Sequence, residues 1–471
     1  MSELKGISEV SVEGLHDQFD FNISLNPGLN IIYGKNGRGK TTLLHLLGNA
    51  LELDFERFTY IRFQRVIIRT FSGDRLEVSK SDSSPVPTVS LNGSLTSFNG
   101  SNSSLSQVEL ASMRDALGGR PTYLPAFRSV LERTRSDMGG YYSRTDRRDT
   151  TFDELLEQEF TALVEASEKK GALTPIENRQ LRDEASVTAQ KTIQCRQWFG
   201  QFVPLIRYPS LSDVETGLTE EWRTAHLEVT RREQRMFEDT FVRVFRVISG
   251  LDKSKSLENN EVLLASIHEQ LKDEESQFFE GESNTIYNDL LVAARMIKSQ
   301  SSQFEGVDNS ILELYREVLR SRNTERRNAF QKIRDFSASV NKFLDRKMLN
   351  VGQSAARPRA RSVVAVSTEK DNSYGLSALS SGERQILTML FTASRSKYSS
   401  GVFLIDEPEL SLHIDWQRIV LEELKSQAPG RQIIACTHSP EVGADHLFET
   451  QDFEPTMSRE RQQSLFTDED F

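Results

Sequence analysis

The sequence has few cysteines and no apolar run long enough to cross a membrane. Its two cysteines, Cys195 and Cys436, lie far apart in 471 residues, which excludes a disulfide framework and a cysteine-based metal knuckle. No window approaches the roughly 18 consecutive apolar residues of a spanning helix. The first residues also lack the basic and apolar regions of a secretory signal. We therefore expect a soluble protein of a reducing cytoplasm.

An excess of positive charge is absent as well. The chain has 58 Lys and Arg against 69 Asp and Glu, a net charge of −11, which argues against a protein that binds nucleic acid over its whole surface. Residues 441–471 contain nine acids and two arginines and therefore carry −7, so the rest of the chain carries −4. A local basic groove elsewhere remains compatible with these numbers.

Short apolar segments and turns at both ends of the chain predict a mixed α/β fold. Residues 58–80 alternate and turn at Ser72–Asp74, which predicts a hairpin. Residues 81–106 are rich in Ser, Asn, Pro and Gly, which is typical of a surface loop. Short β-type runs follow at 122–124 and 362–366, and again at 402–405 and 432–436.

The middle of the chain changes to helical spacing. Thr151 and Glu154 form a capping-box pattern, a second helix is predicted from near Thr219 to Gly250, and a third from Asn309 to Leu349, which contains neither Gly nor Pro. Two helical faces carry apolar side chains that we interpret as arm core or oligomer contacts. These are Phe160 with Leu163, and Phe237, Phe241 and Ile248.

These patterns predict one α/β domain that is split by an all-helical insertion. We expect an N-terminal lobe at 1–130, a helical arm at 131–345, a C-terminal lobe at 346–447 and an acidic, flexible tail at 448–471. The tail is a candidate surface for a basic partner.

A glycine-rich loop lies between a predicted strand at 29–33 and a predicted helix at 43–51. It matches the pattern G-x-x-x-x-G-K-[ST] in the structural context that the pattern requires. Its backbone N–H groups are expected to surround phosphates, with Lys40 at the β- and γ-phosphates and the Thr41 hydroxyl on Mg²⁺. The loop reads Gly34, Lys35, Asn36, Gly37, Arg38, Gly39, Lys40, Thr41, Thr42.

Two acids end the apolar strand at 402–405. We expect Asp406 to join the Mg²⁺ shell and Glu407 to act on the attacking water. An acidic turn after a strand is common by itself, but the glycine loop upstream favours the catalytic interpretation.

Two further segments carry polar groups at structurally favourable places. Ser380, Ser381 and Gly382 begin a predicted helix, where free N–H groups bind anions, although an ordinary helix cap has the same pattern. His438 follows the strand at 432–436, and ligands of open α/β sheets bind beside such strand ends.

Together, the order of these segments resembles the ABC-type ATPases. By this resemblance Lys40 and Thr41 belong to Walker A, Asp406 and Glu407 to Walker B, and His438 is the switch histidine. The resemblance implies ATP and Mg²⁺ as cofactors, and Glu407 and His438 as catalytic residues.

The resemblance also assigns the segments between these motifs. Ser380 to Gly382 correspond to the signature, with Ser381 in place of a glycine, and Glu383 stands at the glutamine position, as in SMC-like proteins. The D-loop corresponds to Glu409–His413. No glutamine marks the Q-loop, whose place is occupied by Pro125–Arg128.

ABC-type ATPases act as head-to-tail dimers, which implies that Lys40 of one subunit and Ser380 of another bind one ATP. The helical insertion resembles the SMC, RecF and OLD group, but only about thirty residues follow His438, too few for a nuclease domain. The chain therefore looks like the ATPases of two-gene anti-phage systems, AriA of PARIS first and PtuA of Septu next. That resemblance implies a homo-oligomeric scaffold that holds a TOPRIM-type toxin nuclease and releases it when a phage protein is sensed.

The alternative hypothesis is a RecF- or SMC-like DNA-repair ATPase that grips duplex DNA. The arginine-rich stretch 128–148, or Arg357, Arg359 and Arg361, would form its DNA surface. The same runs are also typical of a solvated or partner-facing loop.

Overall fold

The computed structural model describes residues 6–81, 84–96, 107–131, 150–166, 174–248, 262–263, 265–267, 269–270, 309–352, 363–369, 372–395 and 401–457. Their contacts divide the chain into two compact units. One comprises Met1–Ser210 with Ser381–Phe471, and the other comprises Leu211–Ser380. Both combine helices with strands, so the mixed α/β class expected from the sequence is confirmed.

The helices are, in chain order, α1 (Lys40–Glu52), α2 (Gln107–Ala116), α3 (Arg128–Leu131), α4 (Thr150–Ala166), α5 (Pro175–Phe199), α6 (Leu211–Ile248), α7 (Asn309–Ala329), α8 (Gln331–Asn341), α9 (Ser381–Ser394), α10 (Ile414–Gln427) and α11 (Pro440–Gly443). None of the helices within the described ranges is both long and apolar enough to cross a membrane.

The first unit contains a seven-stranded antiparallel sheet. Its strands are β1 (Ile7–Leu15), β2 (Phe19–Ser24), β4 (Arg65–Thr70), β5 (Arg75–Ser81), β6 (Ser84–Leu91), β7 (Ser94–Thr96) and β15 (Thr456–Met457), in the order β15-β2-β1-β4-β5-β6-β7. β4 and β5 form the predicted hairpin, which turns at Ser72–Asp74. Alternate residues such as Val66 and Ile68 are buried, as expected for a sheet with one face on the core.

β6 and β7 replace part of the surface loop predicted for residues 81–106. That prediction is wrong for 84–96, and residues 97–106 lie outside the described residues. Pro85 and Pro87 suggested a loop because proline cannot donate to a ladder. They fall where the β5–β6 register shifts between Ser79 and Ser81, and a bulge of this kind accommodates proline.

A five-stranded sheet forms the centre of the same unit. Its strands are β3 (Leu29–Tyr33), β8 (Thr122–Leu124), β12 (Phe403–Asp406), β13 (Ile433–Thr437) and β14 (Thr450–Asp452), in the order β14-β3-β13-β12-β8, with every neighbouring pair parallel. β12 and β13 are buried at every residue, which is typical of parallel strands covered on both faces. α1 packs against both of them.

α4 and α5 pack against each other within the first unit, although the sequence places them in the helical arm. Leu163 is buried and Phe160 packs against its cluster, so this face is a helix–helix core. Thr151 lies inside α4, and Thr174 with Glu177 forms a capping box at the start of α5.

The second unit combines α6, α7 and α8 with a small antiparallel sheet. The sheet consists of β9 (Lys347–Val351), β10 (Val364–Thr368) and β11 (Ser373–Tyr374), in the order β11-β10-β9. Its helices meet around Ala225, Val229, Phe330 and Ile333. On α6, Phe241 is exposed, while the side chains of Phe237 and Ile248 lie outside the described residues.

The helix predicted for 309–349 is wrong in its last part. Helical structure is interrupted at Phe330 and ends at Asn341, and residues 347–351 form a strand. The Asn341 side chain accepts a hydrogen bond from the Leu349 N–H at 2.7 Å and donates to the Leu349 carbonyl at 3.3 Å. This reversal needs neither Gly nor Pro, and for that reason no breaking residue in the sequence marks it. The predicted second helix also starts earlier, at Leu211.

Part of the predicted acidic tail is integrated into the fold. β14 pairs with β3, and β15 pairs with β2. The Phe453 ring also packs edge-to-face on Phe21, with centroids 5.1 Å apart. Residues 458–471 lie outside the described residues.

Candidate functional site

Several strands of the parallel sheet have their carboxyl ends side by side. The register aligns Tyr33 of β3 with Thr437 of β13, and Asp406 of β12 with the neighbouring Cys436. β8 ends beside β12 at Leu124. The predicted phosphate loop, acidic pair and histidine each follow one of these strands. The fold therefore brings them together where α/β sheets bind ligands.

The phosphate loop, residues 34–42, connects β3 to α1. Gly37 and Gly39 have φ of +77° and +93°, which side chains other than glycine disfavour. A Cβ at Gly34 would lie 3.0 Å from the Phe453 carbonyl oxygen, so this position needs a close backbone approach. Lys35 and Asn36 are exposed. α1 starts without a side-chain cap, so its first N–H groups are available to an anion.

Lys40 lies under this loop. Its side chain is buried, and Nζ donates to the carbonyl oxygens of Gly34 at 2.6 Å and Lys35 at 2.9 Å. The ammonium group is therefore held inside the loop that would surround a phosphate, where its charge is screened less than in bulk water. The neighbouring Thr42 is half-buried at the start of α1.

Thr41 and Asp406 join the loop to the acidic strand. The Thr41 hydroxyl donates to Asp406 Oδ2 at 2.9 Å. Asp406 is buried, and its Oδ1 has no hydrogen-bond partner among the residues described. Burial raises the pKa of Asp406 to about 6, the Thr41 hydroxyl opposes this shift, and the Glu407 charge adds to it. A buried carboxylate oxygen without a partner, beside a threonine hydroxyl, fits a hard divalent cation such as Mg²⁺.

Glu407 has a left-handed backbone conformation with a φ of +47°. Such a conformation is uncommon for residues other than glycine and is found disproportionately at functional sites. Its N–H donates to the Cys436 carbonyl at 2.8 Å, and its carboxylate remains partly accessible, with 26% of the side chain exposed. The strand end therefore presents this carboxylate to solvent while Asp406 stays buried.

His438 is held beside Glu407 by Glu409, a residue that the resemblance placed only in the D-loop segment. Glu409 Oε1 accepts from the Thr437 hydroxyl at 2.6 Å and from the N–H groups of His438 and Ser439 at 3.0 and 3.2 Å. His438 Nδ1 lies 3.2 Å from Glu409 Oε1 and 3.6 Å from Glu407 Oε1. One buried carboxylate thus ties the end of β13 to the turn after β12.

Arg128 is a site residue whose sequence context offered two interpretations, the end of the segment at the Q-loop position and the start of an arginine-rich run. As the first residue of the arginine-rich stretch 128–148, it was a candidate for a DNA surface, but it is fully buried, so that assignment is wrong. Its guanidinium donates to carbonyl oxygens at the turn after β12. Residues 132–148 and Arg357, Arg359 and Arg361 lie outside the described residues.

The predicted signature residues lie at the boundary of the two units. Ser380 is the last residue of the second unit, and Ser381 and Gly382 begin α9 in the first. A Cβ at Gly382 would lie 3.0 Å from the Ser411 carbonyl oxygen, so this glycine permits close packing on the D-loop segment. In the described part of this chain, no hydrogen bond joins Ser381 or Gly382 to the phosphate loop.

Comparison with protein families gives two matches. Residues 208–445 match the family described as "AAA domain, putative AbiEii toxin, Type IV TA system", and residues 11–124 match a second family described as "AAA domain". The first match covers about half of the chain. The chain belongs to this AAA-domain family.

The two matched regions of this AAA-domain protein divide the site between them. The N-terminal region contains the phosphate loop and ends at β8. The C-terminal region contains the predicted signature residues, Asp406, Glu407 and His438. Arg128 lies outside both matched regions, so only the correspondence of Pro125–Arg128 to the Q-loop pointed to it.

Among solved structures, the AAA-domain chain is similar to Smc head domains. An Smc head with an extended coiled coil, bound to the C-terminal domain of ScpA, from Pyrococcus furiosus has 11% identity and a TM-score of 0.39 over 98% of this chain and 99% of that one. An Smc head with a coiled coil and joint from Pyrococcus yayanosii has 12% identity and a TM-score of 0.36 over 93% of each chain. A search of curated proteins gave no match.

Proposed function

We propose that this AAA-domain protein is a Mg²⁺-dependent ATPase of the ABC type. The observation that carries the proposal is the hydrogen bond between Thr41 and the buried Asp406, with Glu407 next in sequence. It joins a phosphate loop to an acidic strand end, which is the arrangement needed to hold a nucleotide and a metal ion together.

Each group at the strand edge has a role in this proposal. The N–H groups of residues 34–42 and the Lys40 ammonium would bind the phosphates, and the Thr41 hydroxyl and Asp406 would hold Mg²⁺. The ion would supply positive charge that offsets the charge of the phosphates. Glu407 would accept the proton of the attacking water, and His438 would donate a hydrogen bond to the terminal phosphate.

A complete site would require two copies of the chain. In this proposal Ser380, Ser381 and Gly382 of one copy bind the nucleotide held by Lys40 of the other, as in ABC-type dimers. The exposed positions of Ser380 and Ser381 support this arrangement, because they leave the signature accessible to a partner.

The enzymatic proposal is tested with two variants. Lys40→Ala should abolish nucleotide binding, because it removes the buried ammonium at the loop. Glu407→Gln should bind ATP but lower kcat by about a hundredfold or more, a typical contribution of a general base. Binding of a fluorescent ATP analogue and release of phosphate distinguish the two defects. Hydrolysis at the wild-type rate by Glu407→Gln would refute the assignment of the base.

For the biological role, we propose an oligomeric sensor and scaffold of a two-component anti-phage system, similar to AriA of PARIS. It would hold a separately encoded toxin, a TOPRIM-type nuclease, and release it in response to a phage protein. The family description names a toxin–antitoxin system, which is compatible with this role.

Affinity purification of the tagged chain from its native operon, with ATP and Mg²⁺, tests the biological role. We expect a stoichiometric nuclease or toxin in intact-mass analysis of the bound material. Co-purifying DNA without a protein partner, with binding that weakens steeply as salt rises, would instead support the DNA-repair hypothesis.

A further inference from the structure

The guanidinium of Arg128 is directed at the turn that carries the proposed catalytic base. Arg128 follows β8 as the first residue of α3, and its exposure is 0%. Nη1 donates to the carbonyl oxygens of Pro125 at 3.1 Å and Asp406 at 2.8 Å. Nη2 donates to those of Glu407 at 2.7 Å and Pro408 at 3.1 Å.

Three of these acceptors are consecutive backbone carbonyls, Asp406 to Pro408. A guanidinium is planar and presents its donors in a fixed fork, so one side chain fixes the orientation of three successive peptide groups. The middle residue, Glu407, has the unfavourable φ of +47°. Such a conformation persists only where its surroundings over-determine it, and the Arg128 fork is one such constraint.

The charge of Arg128 also acts on the same turn. Its positive charge attracts the buried Asp406 carboxylate at the end of β12. A buried guanidinium is costly unless its donors are satisfied or its charge is compensated. Here the carbonyl oxygens of Asp406–Pro408 satisfy the donors, and the Asp406 carboxylate compensates the charge.

We propose that Arg128 is a positioning residue that holds the backbone of Asp406–Pro408 and thereby orients the Glu407 carboxylate. This inference rests on the proposed ATPase function. Arg128 itself would touch neither nucleotide nor water, so its loss should impair the chemical step more than nucleotide binding.

A purely structural role is the competing explanation, and Arg431 provides a matched control. Arg431 is also buried and lies just before β13, at the opposite end of the strands from the candidate site. It donates to the Gly401 carbonyl at 2.9 Å and to the Thr122 hydroxyl at 3.0 Å. If burial alone matters, the two arginines should respond alike to substitution.

The first experiment compares Arg128→Lys with Arg431→Lys. Lysine keeps the charge but cannot reproduce the fork, so we expect Arg128→Lys to lower kcat by about a hundredfold, the cost of a small misplacement of a reacting group. Affinity for a fluorescent ATP analogue should change less than about threefold. Arg431→Lys should lower the melting temperature while kcat per bound nucleotide stays at the wild-type value. Equal losses of kcat in both variants would overturn the proposal.

The second experiment combines Arg128→Lys with Glu407→Gln. If Arg128 acts through Glu407, the double variant should hydrolyse ATP at the residual rate of Glu407→Gln alone, because the two effects are not additive. A further hundredfold loss would refute the proposal. Absence of ATPase activity in the wild-type chain would refute the proposed function instead. Normal activity in Arg128→Lys, with Glu407→Gln inactive, would refute only the positioning role.

Discussion

At the scale of single residues, the site depends on a few buried polar groups whose partners are far away in sequence. Glu409 satisfies three donors at the end of β13, and Arg128 satisfies carbonyls that lie 278 to 280 residues further on. Buried polar groups without such partners are costly. These two residues are therefore part of the site even though neither belongs to the motif positions that the sequence singles out as catalytic.

His45 illustrates how burial next to the site affects acid stability. It lies in α1 with Nε2 2.9 Å from the Tyr123 hydroxyl, and burial lowers its pKa to about 3. The unfolded chain, with an ordinary histidine pKa near 6.5, binds a proton in the range where the folded chain does not. The stability contributed by neutral His45 is therefore complete above about pH 6.5 and is lost as the pH falls towards 3.

We expect this histidine to cost about 1.4 kcal/mol in the free energy of unfolding for each pH unit below 6.5. His45→Gln keeps a hydrogen-bonding group but does not titrate. It should be less stable than the wild type at pH 7, yet lose stability less steeply between pH 6.5 and 5. Urea unfolding at several pH values gives the pH dependence of the free energy of unfolding for both proteins. If the two curves are parallel, a group other than His45 causes the loss of stability.

At the scale of elements, β14 and β15 bring the end of the described chain into both sheets. The Phe453 N–H donates to the Tyr33 carbonyl at 2.6 Å, directly before the phosphate loop. The Phe453 carbonyl also approaches Gly34 too closely for a side chain there. The segment 450–453 therefore packs against the start of the phosphate loop.

Two truncations test this support. Removal of residues 458–471 should leave ATPase activity and melting temperature unchanged, because both strands remain. Removal of residues 450–471 deletes β14 and β15, and we expect a lower melting temperature and weaker ATP binding. If a basic partner binds the acidic tail through residues 458–471, the shorter truncation should release it without a change in ATPase rate, whereas unchanged co-purification would show that these residues do not hold it.

Sequence patterns predicted the strands that end at recognisable motifs. They missed the strands and side chains whose positions depend on contacts with residues far away in the chain. β3, β12 and β13 are short apolar runs that end at recognisable polar segments, so both the strands and the groups at their ends could be predicted. β6 contains two prolines that a bulge accommodates, and β9 follows a helix without a breaking residue. Arg128 looked like one member of a basic run, because its carbonyl acceptors become visible only in three dimensions.

At the scale of the whole molecule, the proposed enzyme has two half-sites that belong to different copies. Lys40 and Glu407 of one site belong to the same chain, whereas the signature residues of that site would come from the partner chain. Activity should then be restored by mixing chains that are defective in opposite halves.

We expect Lys40→Ala and Ser380→Arg to be inactive separately and active when mixed. Random pairing gives one intact site in half of the dimers, so the mixture should recover about a quarter of the wild-type rate per chain. The matched control is Lys40→Ala mixed with Glu407→Gln, in which both defects affect the same half and no dimer regains a site. Equal rates in the two mixtures would exclude a shared site.

The parallel sheet also has a consequence for how the protein is made. The Asn30 side chain on β3 donates to Ile433 on β13, 403 residues later in sequence. At about 5–20 residues per second, the ribosome needs on the order of half a minute to deliver that neighbour. The phosphate loop is translated early, but it cannot pack beside the complete sheet until β12, β13 and His438 have also been translated. If the proposed function is correct, a nascent chain would therefore acquire the ability to hold ATP only when the groups that would hydrolyse it are present too.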